Sequence, residues 1–147
     1  MTHIRQQIRT RVVSDLTGLP LTGSNIQDTR LYNLTQSQLP CLEIYTENEN
    51  SEISTIGPDV TLDRELDLII IGYAEANTGI EDTLDTIALQ VENALGADLT
   101  LNNLAVTQYL ENTVIAFTSE GEKPIGTVTL SYKIRYMNNV LSASQPL

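Results

Sequence analysis

Asp63, Glu65 and Asp67 alternate along one strand-like run, so their carboxylates share a face at successive spacings of about 6.5–7 Å. Carboxylates placed this way perform acid–base or metal chemistry only when other ligands converge on them. The sole histidine, His3, sits at the start of the chain with no nucleophile or orienting group near it in sequence. Lys133 and Arg135 alternate in the same way on the last apolar run and pair with the acids if the two strands are neighbours. An ion-paired, solvated face is therefore the expectation, with no catalytic residue and no metal ligand. Cys41 follows a proline among Leu39, Glu43 and Tyr45, a setting without the positive charge that makes a reactive thiolate. It reads as a buried or interfacial thiol. No phosphate-binding glycine loop, dinucleotide fingerprint or nucleophile elbow occurs. The chain is expected not to be an enzyme and to need no cofactor.

The balance of charge narrows the classes further. Nineteen acids against eight bases give a net charge of −11 over 147 residues. Stable nucleic-acid binding needs cations against phosphate, and an anionic membrane surface needs the same, so neither partner is expected. No run approaches the roughly 18 apolar residues of a membrane span. A lone cysteine excludes a disulfide within the chain. Arg5, Arg9 and Arg11 near the N-terminus lack a following apolar segment, so a secretory signal is not expected. A soluble protein made in a cytoplasm is the reading.

The elements that position these residues are set by two apolar periods. Ile4, Ile8, Val12 and Leu16 recur every fourth residue and predict a first helix ended by Gly18. The arginine trio lies on that helix, as a solvated face or as a docking face for an acidic partner such as another copy. Residues 18–38 are rich in turn formers and read as a loop, and Leu39–Thr46 as a strand. The acidic stretch 47–59 is either a long loop or the tip of a hairpin leading into a strand over 60–74. Thr78-x-x-Glu81 predicts a capping box, followed by a helix carrying Leu84, Ile87, Val91 and Leu95 and closed by Gly96. Two more strands follow, 105–118 with an interruption near Glu111-Asn112, then 126–137, and 138–147 reads as a loose tail. In the last strand Val128, Leu130, Tyr132, Ile134 and Tyr136 alternate with polar residues, giving one dry and one wet face. Ile69, Ile70 and Ile71 make the 60–74 strand apolar on both faces at its end, which calls for a second cover beyond the helices. The expected fold is a single α+β domain over 1–147. Two helices pack on one face of a mostly antiparallel sheet, in the order helix-strand-strand-helix-strand-strand.

This order, with the strand Leu39-Pro40-Cys41-Leu42-Glu43-Ile44-Tyr45, the run Glu65-Leu66-Asp67-Leu68-Ile69-Ile70 and the closing Thr129-Leu130-Ser131-Tyr132-Lys133-Ile134-Arg135-Tyr136-Met137, resembles the phage tail terminator family, the minor tail protein U of lambda-like siphophages. The resemblance is one of elements and lengths. It implies a structural virion protein that caps the tail tube as a hexameric ring, ends tube polymerisation and offers the surface for head joining. The partners it implies are further copies of the chain, the tail tube protein and head–tail connector or neck proteins, with DNA passing through the lumen without stable binding. The location it implies is the neck end of the tail in the virion, after assembly in the host cytoplasm. Candidate subunit or partner contacts are Arg5, Arg9, Arg11, Glu47, Glu49, Glu52, Asp59, Ile69, Ile71, Glu120 and Lys123. A related neck or tail-completion protein is the alternative within the virion. A small cellular ligand-binding module is the alternative outside it, disfavoured by the lack of Trp and the single Phe available to line a pocket.

Overall fold

A computed structural model describes residues 2–28, 39–55, 57–75, 78–118 and 124–147. Two helices and five strands follow one another as α1 (Ile4–Leu16), β1 (Ile26–Gln27), β2 (Cys41–Ile53), β3 (Thr61–Glu75), α2 (Ile80–Gly96), β4 (Thr107–Thr118) and β5 (Ile125–Asn139). The strands form one sheet in the order β1-β2-β3-β5-β4. Within it β1 runs parallel to β2, and the other neighbours are antiparallel.

This corrects the expected fold. The order is helix-strand-strand-strand-helix-strand-strand, not helix-strand-strand-helix-strand-strand, and the five-stranded sheet is mixed because β1 joins it in parallel. The difference arises inside the turn-rich segment, where Ile26 and Gln27 pair with Leu42 and Glu43. Two paired residues leave no period-2 pattern to read.

α1 follows from its four-residue spacing, for Ile4, Ile8, Val12 and Leu16 are all buried. It stops at Thr17, whose N–H donates to Ser14 O, and Gly18 then takes the left-handed conformation at φ +91°. α2 begins one residue later than the capping box requires. Gly79, at φ +84°, is the N-cap and brings no side chain to cap the helix. That displacement takes Thr78 out of reach of the first turn's donors. Glu81 and Asp82 still place negative charge in that turn.

One apolar cluster joins both helices to one face of the sheet. β5 contributes Val128, Leu130, Tyr132, Ile134 and Tyr136, the alternate set expected from sequence, and β3 contributes Leu66, Leu68 and Ile70. α2 sits unusually close to the sheet because two paired-strand positions lack side chains. A Cβ added at Gly72 would stand 2.7 Å from Ile87 Cγ2 and 3.0 Å from Val128 Cγ1, and one at Gly126 would stand 2.8 Å from Ile80 Cγ1.

The described residues of the acidic stretch, 47–55 and 57–59, belong to the far part of a β2–β3 hairpin: β2 runs on to Ile53 and β3 starts at Thr61. The segment read as a loose tail is hydrogen-bonded to the body. Val140 N–H donates to Val60 O, Ile4 N–H donates to Ala143 O, and Leu147 N–H donates back to Met137 O.

Gly72→Ala is expected to destabilise the chain by about 1–3 kcal/mol in urea unfolding, because the branched Ile87 and Val128 side chains have little room to give. A neutral or stabilising result would mean that α2 does not press on the sheet at this point.

Candidate assembly surface

The open face of the sheet, opposite the helices, carries the acid run. Asp63 pairs in register with Met137 and Asp67 with Lys133, so the acids of β3 lie beside the bases of β5. Arg135 grips Asp63 with two nitrogens, Nε to Oδ1 at 2.9 Å and Nη2 to Oδ2 at 2.6 Å. That guanidinium holds the Asp63 carboxyl below the ordinary carboxylate range. Lys133 Nζ bonds Asp67 and lies 3.6 Å from both Glu65 and Glu111, and these acids push its pKa up to about 12, the Asp67 bond first. The face is ion-paired, as the alternating pattern implies. Glu47, Asp67, Glu111 and Lys133 line a shallow cleft of about 430 Å³ there.

β4 is the edge of this sheet, and every described side chain from Glu111 to Phe117 is exposed. Its neighbour is β5 alone, with one register shift between Leu110 and Asn112. Tyr109 and Val114 pair with Lys133 and Thr129, whose side chains line the open face; Ile115 and Phe117 pair with Val128 and Gly126 on the helix side. All four are about half exposed, at 45–55%. Within β4 the only charge is Glu111, and there is no proline or lysine of the kind that usually blunts a free edge.

Across the sheet, the hairpin is tied to the body through Glu49. A bulge sets Asn48 and Glu47 against Asp67 alone, because Thr46 pairs with Leu68 but Glu49 pairs with Leu66. The extra residue reverses the side to which Glu49 points and brings it under α1. There its Oε2 accepts from Arg5 Nη1 at 2.6 Å and from Arg64 Nη1 at 3.2 Å, while its Oε1 accepts from the Tyr136 hydroxyl. Arg64 also lies 5.8 Å from the centre of the Tyr136 ring. Burial, then the adjacent Glu49, raises the Tyr136 phenol far above its usual range, so it stays a donor.

A second tie joins α1 to the turn after α2. Arg11 Nε donates to Asp98 Oδ2 at 2.8 Å and lies 3.6 Å from Asp15 Oδ1. Asp98 also accepts from Asn102 N–H and so supports a turn in which Leu101, Asn102 and Asn103 all have positive φ. Burial first, and Asp98 beside it, push the Asp15 carboxyl up to about 6.

The candidate contact residues therefore fall into several groups. Arg5, Glu49 and Arg11 are engaged within the chain, whereas Arg9 forms no ion pair among the described residues. Glu47, Glu52 and Asp59 are exposed, the first two on the hairpin strand and the last near its tip. Ile71 is half-buried, but Ile69 is only 6% exposed in the single chain, already covered within its own sheet. Glu120 and Lys123 lie outside the described residues. Sequence reading missed β4 as the exposed edge, although Tyr109, Val114, Ile115 and Phe117 were there to be read. It also missed His3, whose Nδ1 accepts from Arg5 N–H and caps α1.

No family model matches this chain, and no curated protein matches it. Among solved structures it is similar to a chain of the virion of a native gene transfer agent particle, with a TM-score of 0.53 and 17% identity over 92% of each chain. The likeness shows the fold. It spans nearly the whole length of both chains. Among the described residues, no helix is long and apolar enough to cross a membrane.

Two predictions test these ties. Glu49→Ala should cost about 2 kcal/mol in chemical unfolding, since it strands the part-buried Arg64 and the Tyr136 hydroxyl; equal stability would mean the tie is made only at the surface. Asp15 has a folded pKa above its ordinary value, so the folded state holds the extra proton and stability falls as pH rises from about 4 to 6. Asp15→Asn should therefore gain about 1 kcal/mol at pH 7.5, less than the full shift because the site is partly solvated, and gain nothing at pH 3.5. A loss at pH 7.5 would show that the Arg11 contact outweighs burial.

Proposed function

We propose that the protein is a structural component of a phage-like virion, a tail terminator without enzymatic activity that caps the tail tube as a ring of its own copies. The observation that carries this reading is the likeness, across 92% of each chain, to a chain of a gene transfer agent virion. The resemblance of element order and lengths to tail terminators supports the finer assignment. The surface is suited to assembly: β4 offers an unblunted edge strand with Tyr109, Val114, Ile115 and Phe117 half exposed. Ring closure by a head-to-tail contact would cover such an edge without leaving a growing end.

In this reading, neck proteins meet the surface that faces the head, and the tube protein meets the opposite one. The net charge of −11 repels DNA passing through the lumen. The hairpin, with Glu47, Glu52 and Asp59 exposed, is an arm toward tube or neck.

The test is to add purified protein to polymerising tube protein and measure tube lengths by electron microscopy, with light scattering on the protein alone. Short, capped tubes and a hexameric ring are expected. Tubes of unchanged length with the protein absent from their ends would sink the terminator assignment and leave a neck or completion protein. Val114→Glu with Phe117→Glu should abolish ring formation while circular dichroism stays native; rings formed by this variant would remove β4 from the interface.

A further inference from the structure

A helix cap made by a histidine exists only while the ring nitrogen that accepts is unprotonated. His3 is such a cap: its Nδ1 accepts from Arg5 N–H at 3.0 Å, and its carbonyl accepts from the N–H groups of Gln6 and Gln7. With Nδ1 bare, the neutral ring carries its proton on Nε2. We propose that neutral His3 closes a clasp joining the start of α1, the C-terminal tail and the hairpin, and that a proton on its imidazole opens the clasp.

Three parts of the chain meet here. The first turn of α1 receives the tail, since Ile4 N–H donates to Ala143 O at 2.9 Å and Gln7 Nε2 donates to Ser144 O at 2.9 Å. The same turn holds the hairpin through Arg5 and Glu49. Both attachments depend on the first turn keeping its shape.

Protonation acts against that shape in three ways. It converts Nδ1 from acceptor to donor and abolishes the cap. It places a cation at the positive end of a helix. It also adds charge where cations already gather: Arg64 Nη1 is 3.4 Å from Nε2, and Arg5 is on the same turn. The charged and titratable groups facing the ring are Arg5 from α1, Arg64 from β3, Glu49 from β2 and the Tyr136 phenol from β5. Of these only Glu49 favours the imidazolium, and it is shared between two arginines. The tail 140–147 brings no charged side chain. Burial, then Arg5 and Arg64, hold the imidazole below its ordinary range of about 6.5. The opened chain therefore takes the proton first as pH falls below that value, and the clasp weakens through the same window.

Amide hydrogen exchange on the full chain at pH 7.5 and pH 5.0, corrected for the intrinsic rate, tests this. Protection at Ile4 and Arg5 should fall by roughly fivefold relative to Val91 in α2, the usual cost of losing an N-cap. His3→Asp keeps an acceptor at both pH values and should keep its protection. Nitrogen-15 shifts of the wild-type ring should show Nδ1 unprotonated at pH 7.5. Unchanged protection at pH 5.0, an equal loss in His3→Asp, or a proton on Nδ1 at pH 7.5 would each overturn the clasp.

Discussion

The pairing of β3 with β5 is the constraint on which the rest of the molecule hangs. It runs unbroken from Thr61 opposite Asn139 to Glu75 opposite Ile125. Because the pairing never slips, each side chain of both strands has an assigned face along its whole length. The helix side becomes a continuous apolar floor, and the open side becomes a ladder in which Asp63 meets Arg135 and Asp67 meets Lys133. A slip of one residue would turn one strand over, burying its charges and exposing Leu68 and Ile70 if β3 moved or Leu130 if β5 did. Among the described residues, bulges occur only in the flanking pairs, β2 with β3 and β4 with β5.

The few bases of this acidic chain are spent on holding elements together. Arg5 and Arg64 bind the hairpin, Arg11 binds the turn after α2, and Lys133 and Arg135 bind β5 to β3. Among the described residues Arg9 is the base left without an ion pair. Such pairs contribute little where solvent reaches them, as at Arg135, and more where the partner is nearly buried, as at Glu49. Their main effect is on geometry: they fix which surfaces stay together when the chain meets a partner.

What could be read in the sequence was whatever repeats. The four-residue spacing of α1 and the alternation of β5 place side chains correctly, and the ion-paired acids follow from that alternation once the two strands are neighbours. Single events were not legible. β1 is too short to have a period, and Gly79 moves the start of α2 off the capping box through one left-handed residue. The tie at Glu49 was hidden more deeply. Counted along an unbroken strand, Glu49 falls on the face of Tyr45 and away from α1; only the bulge turns it over. The low exposure of Ile69, 6% in the single chain, was likewise not legible from its own strand.

That bulge has a consequence for how the chain can vary. Beyond it, the hairpin strand from Glu49 to Ile53 is out of phase with the strand before it, so its faces follow the register with β3 and not the count along β2. Loss of either Glu47 or Asn48 would mend the ladder and leave Glu49 opposite Leu66, on the same face and still under α1. In this arm a loss of one in length is taken up where the bulge stands, and the contacts from Glu49 to Ile53 are kept by their partners in β3.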